Sequence, residues 1–341
     1  QLAVAGLGRK PIGRGHRQAL QQVEILQRRR CAGFGAGPAG EYRTAQVPHR
    51  QQALLRHRPA QPARTAGTIA ANKLHRRLDR SEWTITVVDQ DDKHHYQPGF
   101  LFIPFGTYGP DEVTKSRRRY LDDDIPLVYA EIDKVDPEAR TVALGDGTML
   151  DYDVLIIATG VTPRPDQTPG MQDPDTWYDS VFDFYTYEGT TALARKLAAW
   201  PGGRLVVNIV EMPIKCPVAP LEFTFLADAF FSERGMRDKV ELVYVTPLDA
   251  AFTKPIAAKH FGDILERKGV SLEAEFMLEH VDTEGRKLVS YDEREVDYDL
   301  LVTIPLNMGA DYVARSGLGN ELNLVPVDKH TLQSKKYDSI F

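Results

Sequence analysis

The chain has 341 residues, 42% of them hydrophobic and 26% charged, an ordinary globular balance with length for about two domains. Two Cys exclude a disulfide scaffold or a structural zinc cluster. A net charge of −6 gives no reason to expect nucleic acid as a partner of the whole chain. No apolar run approaches the roughly 18 residues of a membrane-spanning helix, and no signal-peptide core opens the chain.

Charge is unevenly spread. Residues 1–64 hold Lys10 and eleven Arg against Glu24 and Glu41, a net +10 that leaves −16 for the remainder. This segment lacks Asp, Ser, Asn, Trp and Met, and shows no period of 2 or 3.6. Two readings stand: a basic arm for nucleic acid or anionic lipid, or a GC-rich frame read out of register, since no Met precedes Met149. On the second, residues 1–64 are a disordered or non-native segment.

From residue 65 the patterns become consistent. A helix over 67–81 places Ile69, Ala70, Leu74 and Leu78 on one face. Residues 83–89 read as a buried strand ending on Asp89. Residues 90–125 are loop-rich and aromatic, and Asp122, Asp123 and Asp124 read as a solvated loop. Strands follow over 127–135 and 141–144, and Gly145-Asp-Gly147 turns into a strand over 149–152. The run Val154-Leu-Ile-Ile-Ala-Thr-Gly160 is a short buried strand with a glycine exit.

Helices over 190–200, 220–232 and 256–268 then alternate with strands over 205–210, 240–245, 271–276 and 300–304. A hairpin falls over 278–296. This βαβ order predicts an α/β fold of two Rossmann-like dinucleotide-binding units, the first incomplete. The expected divisions are 65–165 for the first unit with its β-meander, 166–305 for the second, and 306–341 returning to the first.

A dinucleotide site needs a glycine turn between strand and helix for the pyrophosphate, and an acid near +20 for a ribose hydroxyl. Gly67 and Asp89 suit the last glycine and the acid, but Pro62 and Arg64 occupy the earlier glycine slots. A formal G-x-G-x-x-G at Gly35, Gly37 and Gly40 lacks a preceding strand and a following helix, and reads as chance. In the second unit, residues 211–217 should be glycine-rich to take a pyridine nucleotide. They contain no glycine but carry Cys216 beside Lys215, just before a helix start. A neighbouring ammonium and a helix N-terminus favour thiolate, the nucleophilic form of Cys.

The motifs Lys93-His-His-Tyr-Gln-Pro-Gly-Phe-Leu-Phe-Ile-Pro-Phe105, Ala158-Thr-Gly160, Pro213-Ile-Lys-Cys-Pro-Val-Ala-Pro220 and Val325-Pro-Val-Asp-Lys-His-Thr-Leu332 together resemble the sulfide:quinone oxidoreductases and the related flavocytochrome c sulfide dehydrogenase flavoprotein subunits. So does the closing Tyr337-Asp-Ser-Ile-Phe341. The likeness covers about residues 65–341. It implies an FAD cofactor held by Gly67, Asp89, Thr159 and Gly160. It also implies sulfide and quinone as substrates, with Cys216 as the redox sulfur and Glu222 as a candidate proton relay. The complete enzyme of this kind is peripheral to the inner, cytoplasmic membrane or else cytoplasmic.

Three departures accompany the likeness. The first phosphate-binding strand and glycines are replaced by the basic segment, the chain stops before the family's flavin-phosphate Gly-Asp motif and membrane-docking helices, and Cys31 is the sole other Cys. The expectation is therefore an incomplete or frame-disrupted copy with weak or absent flavin binding in isolation. The alternatives are an NAD(P)H:quinone-type FAD oxidoreductase and a non-enzymatic, basic-armed binding protein.

Overall fold

A computed structural model describes residues 65–341, together with the backbone of two strands, Leu2–Ala5 and Gln52–Leu54. The remaining part of residues 1–64, with Cys31 and the Gly35–Gly40 match, lies outside the described residues. The chain divides into two compact units.

The first unit comprises residues 1–94, 115–161 and 309–341. Its main sheet runs Val154–Ala158, Gln52–Leu54, Leu2–Ala5, Ile85–Asp89, Leu127–Tyr129. Ile85–Asp89 and Leu127–Tyr129 are parallel, as expected of a dinucleotide-binding half. No residue pattern marks a strand before Gly67, yet Leu2–Ala5 fills that slot. It runs antiparallel to both Ile85–Asp89 and Val154–Ala158, pairing Ala3 with Val88 and with Ile157. Two buried parallel strands present unpaired N–H and C=O groups at such a gap, and any extended backbone there satisfies them.

The helix Thr65–His75 stops at His75, short of the expected residue 81, and turns follow. It buries Gly67, Thr68, Ala71, Leu74 and His75, so its inner face is rotated by one residue from the Ile69–Ala70 face expected. Ala71 and Leu74 pack with Ile85, Val87, Leu121 and Ile125. The expected strand over 127–135 is two strands, Leu127–Tyr129 in the main sheet and Ile132–Asp136 in a meander with Thr141–Leu144 and Met149–Asp151. A second core joins Val88, Ile132, Val142 and Leu155 to Tyr312, Val313, Leu318 and Ile340. The return of the last segment to the first unit thus shows as buried packing, and Ile340 bridges Leu155.

The second unit comprises residues 95–114 and 162–308. Its sheet is parallel throughout, in the order Val181–Phe182, Leu300–Ile304, Gly203–Ile209, Val240–Val245, Val270–Glu273. The strands read as nearly unbroken apolar runs because both faces are covered. Helices Tyr187–Ala199, Ala219–Glu233 and Pro255–Arg267 supply three of the crossovers, and the fourth runs through an antiparallel meander, Leu278–Asp282, Lys287–Ser290 and Glu295–Asp297, in place of the expected hairpin. On one face of this sheet Leu205 and Val207 pack with Leu242 and Leu300, all buried. The segment 95–114, expected inside the first unit as part of 65–165, belongs here. Phe100, Ile103 and Val113 form an apolar cluster against Tyr187 and Ala194, and the Thr190 hydroxyl donates to the Phe100 carbonyl at 2.6 Å. Those aromatics read as loop because 3-10 turns carry no apolar period to detect.

Candidate functional site

In a doubly wound sheet, ligands meet the carboxyl ends of the strands where the strand order reverses. In the second unit Leu300–Ile304, the last of these strands in the chain, returns to pair beside Gly203–Ile209, where the order of the strands is broken. Residues 211–217 leave the sheet there. The Lys215 N–H donates to Asn307 Oδ1 at 3.2 Å, tying this loop to the neighbouring strand's exit. Asn307 is buried and donates to the Pro305 carbonyl at 2.8 Å.

Cys216 is an exposed free thiol on this loop. Its carbonyl accepts from the Tyr185 hydroxyl at 2.6 Å and from the Ala219 N–H at 3.2 Å, so the backbone at the sulfur is held. The helix Ala219–Glu233 begins soon after, with Pro220 in its first turn, where the missing N–H costs nothing. Glu222 lies exposed in that first turn, a favourable place for an acid.

Lys215 packs over an aromatic face: its Nζ lies 5.4 Å from the Tyr185 ring centroid. Burial pushes its pKa down to about 8, against the pull of Asp183. Tyr185 is pushed up, mainly by burial and also by Cys216. Behind it, the fully buried Asp183 carboxylate accepts from the N–H groups of Tyr185 and Thr186 at 2.7 and 2.6 Å, and from the Thr186 hydroxyl at 2.8 Å. Burial raises the Asp183 pKa against these bonds. Thr186 then caps the helix Tyr187–Ala199, its Oγ1 accepting from Gly189 N–H at 2.9 Å. Sequence reasoning missed Tyr185, Asp183 and Asn307. The Asp183-x-x-Thr186-x-x-Gly189 spacing is a readable cap signal; Asn307 carries none.

Gly67, Asp89, Thr159 and Gly160 belong to the first unit, Cys216 and Glu222 to the second. Thr159 is buried and its Oγ1 shares a hydrogen bond with the Tyr312 hydroxyl at 3.2 Å. Gly160 takes φ +62°, the left-handed turn that its type permits at no steric cost. Gly67 lies in the first turn of Thr65–His75, which holds no acid. A helix start of this kind and a glycine turn suit a dinucleotide.

Asp89 differs from expectation. It ends its strand as read, but its carboxylate is fully buried and ion-paired with Arg117 Nε, rather than open to a ribose. Arg117 also donates to the Lys93 carbonyl at 2.8 Å, and burial pushes its pKa down to about 10. Asp122 likewise departs from a solvated loop: it is half-buried beside His75.

Residues 63–208 match the pyridine nucleotide-disulphide oxidoreductase family. The α/β dinucleotide-binding fold read from the sequence is borne out. The chain is 24% identical over 286 residues to the mitochondrial sulfide:quinone oxidoreductase of Dictyostelium discoideum, covering 81% of this chain and 62% of that protein. It is 21% identical over 277 residues to the sulfide-quinone reductase of Aquifex aeolicus, covering 75% and 61%. The solved sulfide:quinone oxidoreductase of Aquifex aeolicus matches with a TM-score of 0.69 at 19% identity, over 80% of this chain and 64% of that one. An NDH2 structure from Plasmodium falciparum with NADH matches more weakly, TM-score 0.54 at 13% identity, over 70% and 53%. The resemblance drawn from the motifs therefore holds across most of the chain, which spans about three-fifths of the curated relatives' length. Among the described residues, no helix is long and apolar enough to cross a membrane.

Proposed function

We propose that this chain belongs to an FAD-dependent oxidoreductase that oxidises sulfide and delivers the electrons to a quinone. The observation that carries the reading is Cys216. A free, exposed sulfur stands at the strand-exit position where a pyridine-nucleotide domain needs glycine, on a loop fixed by Tyr185 and Asn307. The similarity to sulfide:quinone oxidoreductases supports the same chemistry. The glycine-free loop argues against NAD(P)H as the donor.

Gly67, Thr159 and Gly160 would hold FAD, which supplies two-electron redox chemistry when bound. Asp89, engaged by Arg117, would support that site by fixing the strand end. Cys216 offers the sulfur through which sulfide is oxidised; only its thiolate is a competent nucleophile. Tyr185 and Asn307 orient the loop, so the sulfur does not have to be ordered during reaction. Glu222, near the thiol in sequence and exposed, is the group that would exchange protons with solvent. Because a quinone is a lipid-phase substrate, the complete protein would work at a membrane surface as a peripheral protein.

The test is sulfide-dependent reduction of a soluble quinone analogue by FAD-loaded protein, with and without Cys216→Ser. The reading expects turnover to fall at least about a hundredfold, the scale of losing an activated nucleophile. Equal turnover in the two proteins would end it, and NADH-driven reduction would favour a pyridine-nucleotide enzyme instead.

A further inference from the structure

The carboxyl end of the helix Thr65–His75 meets a loop of the same unit through two clamps. The Asn72 side-chain amide donates to the Tyr120 carbonyl at 2.7 Å, and its oxygen accepts from the Asp122 N–H at 2.9 Å. Arg118 holds the loop farther along, donating to the carbonyls of Ile125, at 2.8 Å, and Asp122. Between the clamps, ligand-type atoms of His75, Asp122 and Asp124 lie within 4.8 Å of one another.

His75 makes this more than an acidic cluster. Its side chain is only 9% exposed, and its Nε2 is buried without a hydrogen bond. The nearest carboxylate oxygen, Asp122 Oδ1, is 3.5 Å away. That is long for a hydrogen bond. It is close to the roughly 3.4 Å expected between two atoms that each sit about 2.1 Å from one tetrahedral ion.

We propose that His75, Asp122 and Asp124 form a site for a borderline divalent cation, Zn2+ foremost. One imidazole and two carboxylates favour such an ion over Mg2+ or Ca2+, which prefer all-oxygen sites. Asn72 acts as the outer partner that fixes Asp122 against the helix. Of the three ligands, Asp124 lines an open surface depression with Arg118 and Tyr129, so the site has one side at the surface. Arg80 is the competitor. It holds Asp124 at 2.8 Å, and Asp124, 66% exposed, has to leave it to ligate.

The test titrates Zn2+ into untagged, metal-free full-length protein carrying Cys216→Ser, so that this thiol does not contribute, with heat of binding as the readout. One site per chain is expected. His75→Gln and Asp122→Asn should each weaken binding at least about tenfold, and Arg80→Gln should tighten it several-fold. Absence of binding at about 100 μM Zn2+, or equal affinity in His75→Gln, overturns the site. Thermal unfolding without metal checks that each variant folds. Should a ligand variant fail that check, exposed Arg80→Gln decides alone, because unchanged affinity there overturns the proposal equally.

Discussion

The Tyr185 hydroxyl donates to the main-chain carbonyl of Cys216 across 31 residues of sequence, at 2.6 Å. The same ring lies under the Lys215 ammonium, so one aromatic side chain governs both the backbone of the candidate sulfur and the charge next to it. Tyr185 is itself anchored, because its N–H is bound by the buried Asp183.

Tyr185→Phe removes that hydroxyl and leaves the ring. A net loss of about 1 kcal/mol is expected, a drop in Tm of roughly 2–4 °C for a unit of this size. Turnover of FAD-loaded protein should fall too, as the sulfur loses its fixed position. An unchanged Tm would show that the hydroxyl does not hold the loop.

Lys215 gives a pH dependence with a definite sign. Its folded pKa of about 8 lies below the ordinary lysine value, so between pH 8 and about 10.5 the unfolded chain binds more protons than the folded one. This group therefore makes stability rise with pH across that window, and it penalises the folded state at lower pH. Lys215→Met should raise Tm most near pH 7 and flatten the slope of Tm against pH from 8 to 10.5. A parallel slope in the two proteins would contradict the assignment.

The Arg117–Asp89 pair is fully enclosed, and removing one partner strands a buried charge. Arg117→Met should cost about 3–5 kcal/mol in urea unfolding, and pairing it with Asp89→Asn should recover a good part of that loss. Additive losses in the double variant would mean that the two side chains act independently.

Gly189 tests packing against intrinsic propensity. A Cβ there would stand 2.6 Å from the Asp183 carbonyl oxygen and closer still to its Oδ2. Alanine favours helix over glycine by about 1 kcal/mol, yet the clash should make Gly189→Ala destabilising by roughly 1–3 kcal/mol. A stabilised Gly189→Ala variant, read by thermal unfolding, would show that Asp183 yields easily.

Much of the second unit is legible because its strands and helices carry their own periods. The helix expected over 220–232 is observed as Ala219–Glu233, and that expected over 256–268 as Pro255–Arg267. The glycine-free, Cys-bearing exit after Gly203–Ile209 is also a local signal. The partners of the site are not. Arg117 meets Asp89 across a gap of 28 residues, from a segment of short 3-10 turns with no pattern to project. His75 is by its sequence an ordinary helix-end residue, and only the fold brings Asp122 to it. The split of 127–135 comes from backbone pairing, Leu127–Tyr129 with Ile85–Asp89 and Ile132–Asp136 with Thr141–Leu144, which no local residue pattern projects.

Tyr312, Val313 and Ile340 close a core whose other walls, Val88, Ile132 and Leu155, come from far earlier in the chain. During synthesis, a ribosome would therefore release most of the polypeptide before this core had its last wall. The parallel sheet of the second unit is complete by Ile304 and does not have to wait. The first unit would spend that interval with apolar surface uncovered, so its yield in cells should respond to chaperone supply more than that of its neighbour.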